Sequence, residues 1–186
     1  MTEKIMTLLL GSPRVGGNSE TVADAIASGA AEKGYEIRKV RLSALNLKGC
    51  MDCRKCWSSG APCIQKDDMG KVHRDIEDSS VLVFVSPLYY YSWSSQIKPV
   101  WDRLLPYGMP NSERSLEGKG AILAATAGDE EDGLFDGMIA SFDKSSQYLK
   151  WKILGHICVS GVYGKGEILT KGQKYLEEAR ALGRSL

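Results

Sequence analysis

Four cysteines lie close together in this chain of 186 residues, within a window of fourteen positions. Thiolates are the soft ligands that iron-sulfur clusters require, and three thiolates spaced three residues apart can converge from one tight loop while a fourth returns from further along. A mononuclear zinc site usually contains two separated C-x2-C pairs instead. The pattern therefore favours a [4Fe–4S] cluster, with a zinc ion or four unliganded thiols as the alternatives. The four residues, spaced C-x2-C-x2-C-x6-C, are Cys50, Cys53, Cys56 and Cys63.

A glycine-rich loop at residues 11–21, GSPRVGGNSET, follows the apolar run Ile5–Leu10. Glycines let backbone N–H groups converge, Ser, Asn and Thr side chains add donors, and the N-terminus of a following helix adds a positive field. The loop lacks the G-x-G-x-x-G dinucleotide pattern and the lysine of the G-x-x-x-x-G-K-[ST] nucleotide loop. It is therefore predicted to bind a phosphate monoester, the alternative being a turn without a ligand.

A second loop, residues 86–93, reads SPLYYYSW and follows another apolar run, Val81–Val85. Three tyrosines and a tryptophan are costly to expose and are suited to stacking on a flat aromatic ligand. Core packing or an oligomer interface would explain these rings if they stood alone. Beside a phosphate loop, they indicate a ligand with a phosphate at one end and a planar ring at the other, which is the shape of flavin mononucleotide (FMN).

Acid–base catalysts are less evident than ligand-binding residues. The two histidines, His73 on a predicted helix and His156 on a predicted strand, lie away from these loops, so a hydrolase built on Ser-His-Asp or Cys-His has little support. The acidic run 129–132 is interpreted as a solvated loop. No residue is predicted to act as a general acid or base.

The elements that must position these residues alternate along the chain. Apolar or alternating runs predict strands, and 3.6-residue periodicity predicts helices. Ser19 is predicted to cap the first helix, and Asp67-Asp68 the helix through Val72 and Ile76. The predicted strands are 5–10, 36–42, 81–85, 121–127 and 153–162, and the other predicted helices are 19–34, 96–105, 134–149 and 169–182.

Strands that alternate with helices predict an α/β fold with a five-stranded, doubly wound parallel sheet covered by helices on both faces. The absence of a repeat or a linker predicts one domain over residues 1–186, with a cysteine-rich insertion at about 47–69. Ligands of such sheets bind beyond the carboxyl ends of the strands. Three loops, 11–19, 86–95 and 126–133, are therefore expected to meet in one crevice.

The charge balance and the apolar runs limit the possible partners and location. The net charge is +1, so a surface built to bind nucleic acid or an anionic membrane is not expected. The N-terminus has no long apolar region and no signal-peptide cleavage site, and the apolar runs are too short to span a bilayer. A cytoplasmic protein is therefore predicted, in which thiols stay reduced.

Several of these segments together resemble a known family. Gly11-Ser12-Pro13-Arg14 with Asn18-Ser19, then Ser86-Pro87-Leu88-Tyr89, and Lys98 with Asp102-Arg103 resemble the NADPH-dependent FMN reductase branch of the flavodoxin-like fold. Within that branch, the cysteine segment followed by Asp67-Asp68-Met69 resembles the iron-sulfur flavoproteins, although the six-residue gap before Cys63 is long for that pattern. The resemblance extends over nearly the whole chain and implies the sheet order 2-1-3-4-5.

The resemblance also implies where each part of FMN binds. The phosphate is expected at the first loop and the isoalloxazine ring at the second, with two residues of the third loop closing over the ring. The implied phosphate residues are Ser12, Arg14, Asn18, Ser19 and Thr21, and the implied ring residues are Pro87, Leu88, Tyr89, Tyr90, Ala127 and Gly128.

The function predicted from these observations is an FMN-dependent oxidoreductase in which a [4Fe–4S] cluster exchanges single electrons with the flavin. The resemblance implies a ferredoxin-like protein or NAD(P)H as donor, a small-molecule acceptor, and a homodimer or homotetramer. One alternative is a cluster-free NAD(P)H-dependent FMN or quinone reductase. The others are a zinc-structured binding protein and a flavodoxin-type electron carrier, which is expected to be acidic and is disfavoured by the charge of +1.

Overall fold

The computed structural model of the protein describes residues 4–59, 63–110, 112 and 114–186. The predicted absence of a signal peptide concerns residues 1–3 in part, and the predicted insertion at 47–69 includes residues 60–62. Those residues lie outside the described part of the chain.

In the described part of the chain, five parallel strands form one sheet. Their spatial order places the second strand at one edge and the first strand beside it, which confirms the predicted order 2-1-3-4-5. The strands are β1 (Ile5–Leu10), β2 (Glu36–Arg41), β3 (Val81–Pro87), β4 (Gly120–Thr126) and β5 (Lys152–Val159).

Helices connect the strands and cover both faces of the sheet, as predicted. Because neighbouring residues of a strand point to opposite faces, the central strands contribute to two separate cores. Phe84 of β3 lies in the core formed with α3, α4 and α5, and its neighbour Val83 lies in the core formed with α1 and α7. The helices are α1 (Asn18–Ala31), α2 (Lys55–Ser59), α3 (Met69–Asp78), α4 (Lys98–Asp102), α5 (Asp136–Tyr148), α6 (Ile168–Lys171) and α7 (Gln173–Arg184).

The predicted boundaries are wrong in the second half of the chain. The last strand ends at Val159, because Gly161 has a left-handed φ of 71° and turns the chain into a loop. The helix predicted at 96–105 is α-helical only over Lys98–Asp102, since the N–H groups of Arg103 and Leu104 donate to carbonyl oxygens three residues earlier and the chain tightens into 3-10 geometry. The closing helix is interrupted at Gly172, between α6 and α7.

The predicted cap of the first helix is also wrong. Gly17, not Ser19, occupies the N-cap position of α1, and it provides no side-chain capping bond. Ser19 lies within the first turn, where its hydroxyl is used in a contact with Thr126.

Among the described residues, no helix is long and apolar enough to cross a membrane.

Helices α1 and α7 pack with their backbones in contact. A Cβ atom added at Gly29 of α1 would overlap the carbonyl oxygen of Arg180, and a Cβ atom added at Gly183 of α7 would overlap the carbonyl oxygen of Ile26. Each helix therefore needs a residue without a side chain where it crosses the other. This crossing holds α1, whose N-terminus lies at the carboxyl edge of the sheet, against the C-terminal helix.

We predict that Gly29→Ala lowers the free energy of unfolding by about 1–3 kcal/mol, because the added methyl group forces the two helix backbones apart. Gly70→Ala on α3 is the matched control. Its site is exposed, so the same change should raise stability by about 0.4–1 kcal/mol. Urea unfolding measures both values, and equal effects of the two substitutions would contradict the prediction.

Candidate functional site

An open cleft lies at the carboxyl edge of the sheet. The three loops predicted to meet at this edge do meet there, and nine of the residues predicted to bind FMN line the cleft. They are Ser12, Arg14, Asn18, Ser19, Pro87, Leu88, Tyr89, Ala127 and Gly128.

The structure does not bring two of the predicted residues to the cleft. The Thr21 hydroxyl donates to the carbonyl oxygen of Gly17 at 3.1 Å, inside the first turn of α1. Tyr90 is 99% exposed and is not among the residues that line the cleft. The cleft includes residues outside the predicted set, which are Gly17, Thr126, Asp129 and Tyr163.

The N-terminus of α1 forms one end of the cleft. The first amides of a helix have no acceptor within the helix, and Gly17 at the N-cap position offers them no side-chain oxygen. The Ser12 hydroxyl accepts a hydrogen bond from the backbone N–H of Arg14 at 3.2 Å, which folds the loop back toward the helix. This end of the cleft therefore presents backbone donors and the positive end of the helix dipole to an anion.

The carboxylate of Glu20 is hydrogen-bonded to the same loop. Glu20 accepts a hydrogen bond from the Gly16 N–H at 2.7 Å and pairs with Arg41 at 2.6 Å. The hydrogen bond from Arg41 is the main cause that lowers the pKa of Glu20, so Glu20 is ionised at neutral pH. Arg41 thus neutralises a negative charge that would otherwise oppose anion binding at this end.

Asn18 fastens the loop after β5 to the start of α1. Its amide nitrogen donates to the carbonyl oxygens of Val162 and Gly164, each at 2.9 Å. Its amide oxygen accepts from the backbone N–H groups of Gly166 at 3.0 Å and Ile168 at 3.4 Å. With these contacts made, the Asn18 side chain serves to hold residues 162–168 at the cleft.

The first and third loops are tied together by a buried contact between hydroxyl groups. The oxygens of Ser19 and Thr126 lie 2.7 Å apart, at the point where α1 approaches the end of β4. The backbone N–H of Leu88 donates to the carbonyl oxygen of Thr126 at 2.8 Å and joins the second loop to them. The three loops therefore form one connected wall of the cleft.

The second loop turns sharply after Leu88. The backbones of Tyr89 and Ser92 exchange hydrogen bonds at 3.1 Å, and the two residues between them, Tyr90 and Tyr91, have φ values of 47° and 60°. Positive φ is unusual for aromatic residues, and here it is required by the tight turn between Tyr89 and Ser92. The turn leaves Tyr89 at the cleft, while the Tyr91 hydroxyl donates to Glu131 at 2.6 Å.

Tyr163 reaches the cleft from a fourth loop that the sequence did not predict. A Cβ atom added at Gly128 would lie 2.8 Å from the Tyr163 ring, so the ring lies directly on the Gly128 backbone. The Tyr163 carbonyl oxygen accepts from the Arg14 guanidinium at 3.2 Å. The glycine-rich sequence after the fifth strand is the feature that could have indicated this loop. It was missed because the fifth strand was predicted to continue to residue 162, whereas it ends at Val159.

The four cysteines line a second pocket. All four are free thiols. Left-handed φ values of 47° at Asp52 and 57° at Arg54 curl the chain tightly on both sides of Cys53. The sequence-predicted gathering of the four residues is thus present, and Gln65 and Arg103 line the same pocket.

A buried ion pair closes the cysteine segment at its base. Arg103 donates to both carboxylate oxygens of Asp67, at 2.6 and 2.9 Å. Asp67 also accepts from the backbone N–H groups of Lys48 and Met69, at 2.9 and 3.1 Å. Burial opposes the ionisation of Asp67, but these donors outweigh it and lower its pKa to about 2. The two ends of the segment are therefore joined by a charged group that is ionised at neutral pH.

Cys56 is the thiol of this pocket whose ionised form is disfavoured. Burial raises the pKa of Cys56, and the neighbouring Cys63, Cys53 and Cys50 raise it further. A cation or a cationic metal cluster would relieve this repulsion, and four thiols are the donor set that an iron-sulfur cluster takes. Among the described residues, however, no three His, Cys, Asp or Glu side chains are already arranged as a metal-binding group. The pocket fits the cluster in donor number and chemistry, and binding would require the thiols to converge.

Comparison with known proteins adds to this geometry. The model of the family described as NADPH-dependent FMN reductase matches residues 4–136, which contain the three predicted loops and all four clustered cysteines. Among solved structures, the NAD(P)H:quinone oxidoreductase from Methanothermobacter marburgensis is similar with a TM-score of 0.71 and 19% sequence identity. That similarity covers 98% of this chain and 94% of the other, and it supports the fold.

Curated relatives include proteins with and without a cluster in their names. An iron-sulfur flavoprotein of Archaeoglobus fulgidus is 34% identical over 124 residues, which are 67% of this chain and 56% of that protein. The chain spans about half the length of the iron-sulfur flavoproteins that it matches first. A putative NAD(P)H-dependent FMN-containing oxidoreductase of Bacillus subtilis is 23% identical over 184 residues, covering 97% of each chain.

We predict that Asn18→Ala loosens residues 162–168 and lowers the free energy of unfolding by about 1–3 kcal/mol, because buried backbone groups lose their partner. Trypsin should then cleave faster after the exposed Lys165. Thr170→Ala is the control, since it removes only an exposed contact with Glu167 in its own turn. Cleavage of the two variants at the same rate would rule out the anchoring role of Asn18.

Proposed function

Since this chain belongs to the NADPH-dependent FMN reductase family, we propose that it is an oxidoreductase that binds FMN in the cleft at the carboxyl edge of the sheet. The observation that carries the proposal is the meeting of an uncapped helix N-terminus and an apolar, aromatic loop in one cleft. An anion site beside a flat apolar surface matches a phosphorylated ring compound.

The phosphate end of the cleft is assigned to the first loop. Ser12, Arg14 and Ser19 line it together with the amides of the first turn of α1. Arg14 provides a permanent positive charge and can make charge-assisted hydrogen bonds to phosphate oxygens. Thr21 remains a predicted phosphate residue, but its hydroxyl is engaged within α1, so we assign it to the support of the helix turn.

The ring end of the cleft is assigned to the second and third loops. Pro87, Leu88 and Tyr89 provide one wall, and Ala127 with Gly128 provides the other. The Tyr163 ring lies on Gly128, so a larger side chain at position 128 would displace it. We propose that these surfaces hold the isoalloxazine ring by apolar contact and stacking, while Tyr90 stays outside the cleft.

Bound FMN would supply the redox chemistry, because a flavin can accept a hydride and transfer one or two electrons. The task of the protein is to bind the ring, orient it and limit its contact with water. No histidine lines the cleft, and its ionisable residues, Arg14, Asp129 and the two tyrosines, are arranged as binding groups. The proposal therefore assigns no general acid or base to the chain.

We further propose that Cys50, Cys53, Cys56 and Cys63 hold a [4Fe–4S] cluster that exchanges single electrons with the flavin. The support is the gathering of four free thiols in one pocket, which is the donor set that an iron-sulfur cluster takes. The printed name of the Archaeoglobus fulgidus relative agrees with this assignment. The proposed donors are NAD(P)H or a ferredoxin-like protein, the acceptor is a small molecule, and the working form is a cytoplasmic homodimer or homotetramer.

A second candidate function is a cluster-free NAD(P)H-dependent FMN or quinone reductase. It is favoured by the absence of a preformed metal-binding group among the described residues and by the Bacillus subtilis relative, which is similar along almost the whole chain. In that case the cleft would act alone, and the cysteines would be free thiols.

Metal analysis of protein purified without oxygen separates these candidates. We predict one FMN together with iron and acid-labile sulfide in the wild-type protein. Cys53→Ser should lose most of the iron and keep the flavin, because only the cysteine pocket is changed. Cys158→Ser is the control and should keep both, since Cys158 lies on β5 and not in either pocket.

Flavin without iron or sulfide in the wild-type protein would refute the cluster and leave the cluster-free reductase. Rapid bleaching of the flavin by NADPH would then identify the direct donor. Bleaching only through a reduced ferredoxin would support the relay instead.

A further inference from the structure

Among the residues that the structure describes, Arg103 is the largest side chain that is almost completely buried, with 2% of its surface exposed. It lies just after α4 and lines the cysteine pocket. An arginine cannot lose its charge by deprotonation in a protein, so each buried N–H group needs an acceptor. The partners of its three nitrogen atoms therefore indicate what this residue is placed to do.

Two of the three nitrogens are used at the base of the pocket. Nη1 donates to Asp67 at 2.6 Å and to the carbonyl oxygen of Lys48 at 3.0 Å, and Nη2 donates to Asp67 at 2.9 Å. Both side chains of the ion pair are buried. These hydrogen bonds hold Arg103 in place, but none of them involves its third nitrogen, Nε.

The third nitrogen, Nε, is buried and has no hydrogen-bond acceptor among the residues that the structure describes. A buried donor without a partner is rare and costly. The same pocket contains a buried acceptor without a partner, the Oε1 atom of Gln65, whose amide nitrogen lies 3.9 Å from the Cys63 sulfur. Unpaired polar atoms around a pocket of thiols point to a group that is absent from the chain itself.

Cys63 and Arg103 line the same pocket, and the Cys63 sulfur accepts from the amide nitrogen of Gln65 at 3.9 Å. A cationic N–H donor beside a ligating sulfur stabilises the thiolate. Hydrogen bonds to the sulfurs and nearby charge are also two of the factors that set the potential of an iron-sulfur cluster.

We propose that Arg103 donates its Nε–H to sulfur at the Cys63 corner of the metal site, while its other two nitrogens fix the site through Asp67 and Lys48. This inference rests on the proposed cluster. It gives Arg103 two separable roles, because Asp67 contributes to the position of the segment and only Arg103 contributes the donor to sulfur. Loss of the donor should lower the cluster potential, since the reduced cluster carries more negative charge.

The test uses Arg103→Lys, which keeps a positive charge beside Asp67 and removes the Nε donor. Asp67→Asn is the second variant, and it weakens the ion pair while keeping Arg103. Arg38→Lys is the matched control, because Arg38 lies on β2 and pairs with Glu36 of the same strand and Asp78 of α3, and none of the three lines the pocket. Each protein is reconstituted with iron and sulfide, and the midpoint potential of the cluster is followed by electron paramagnetic resonance.

Binding of Cd²⁺ alone to the proteins without iron, followed by thiolate-to-metal absorption, gives a second readout. Arg103→Lys should shift the cluster potential to a more negative value and weaken Cd²⁺ binding about 10- to 100-fold, with FMN affinity unchanged. Asp67→Asn should leave the potential unchanged or raise it, because a negative charge is removed. Arg38→Lys should behave as the wild-type protein.

Two results would overturn the inference while leaving the proposed function in place. One is an unchanged potential and unchanged Cd²⁺ affinity in Arg103→Lys. The other is an equal negative shift in Arg103→Lys and Asp67→Asn, which would mean that Arg103 acts only by holding the segment. A wild-type protein that takes up neither a cluster nor Cd²⁺ would instead refute the proposed cluster, and the inference with it.

Discussion

A parallel sheet that is buried on both faces leaves its carboxyl edge as the place where polar loops can gather. In this chain, the two cores cover the faces of β1, β3 and β4, so the loops that follow these strands share one edge. The contact between Ser19 and Thr126 joins two of those loops, and Asn18 brings a fourth loop from the end of β5. The cleft depends on this closure, and the glycine contact between α1 and α7 holds the helix that begins there.

The cysteine pocket depends on a different interaction, the buried pair of Asp67 and Arg103. Removal of either partner would leave an uncompensated buried charge, which is more costly than the loss of a surface ion pair. The hydrogen bonds among Lys48, Asp67 and Arg103 join the two ends of the segment through protein groups alone. The low pKa of Asp67, about 2, keeps this closure charged at neutral pH. The two sites are thus built by separate contacts on one fold.

Much of this arrangement could be predicted from the sequence because it follows from periodicity and position. The first strand was predicted from the continuous apolar run 5–10, and one end of the cleft was predicted from the loop 11–21. Both are present in the structure. The C-terminal half was predicted less well, since Gly161 ends the last strand just before Val162 and Gly172 interrupts an otherwise helical pattern. Tyr163 and the Asp67–Arg103 pair were not assigned to the sites. Both depend on contacts between distant segments, which one-dimensional patterns do not contain.

The central claim is that the N-terminus of α1 binds a phosphate while the neighbouring loops bind a flat ring. The most direct measurement is a comparison of FMN with riboflavin, which has the same ring and lacks the phosphate, in a fluorescence titration of flavin-free protein. FMN is expected to bind about 100-fold or more tightly than riboflavin, because two charge-assisted hydrogen bonds to phosphate are worth about 3 kcal/mol or more together. Equal affinities for the two flavins would contradict it.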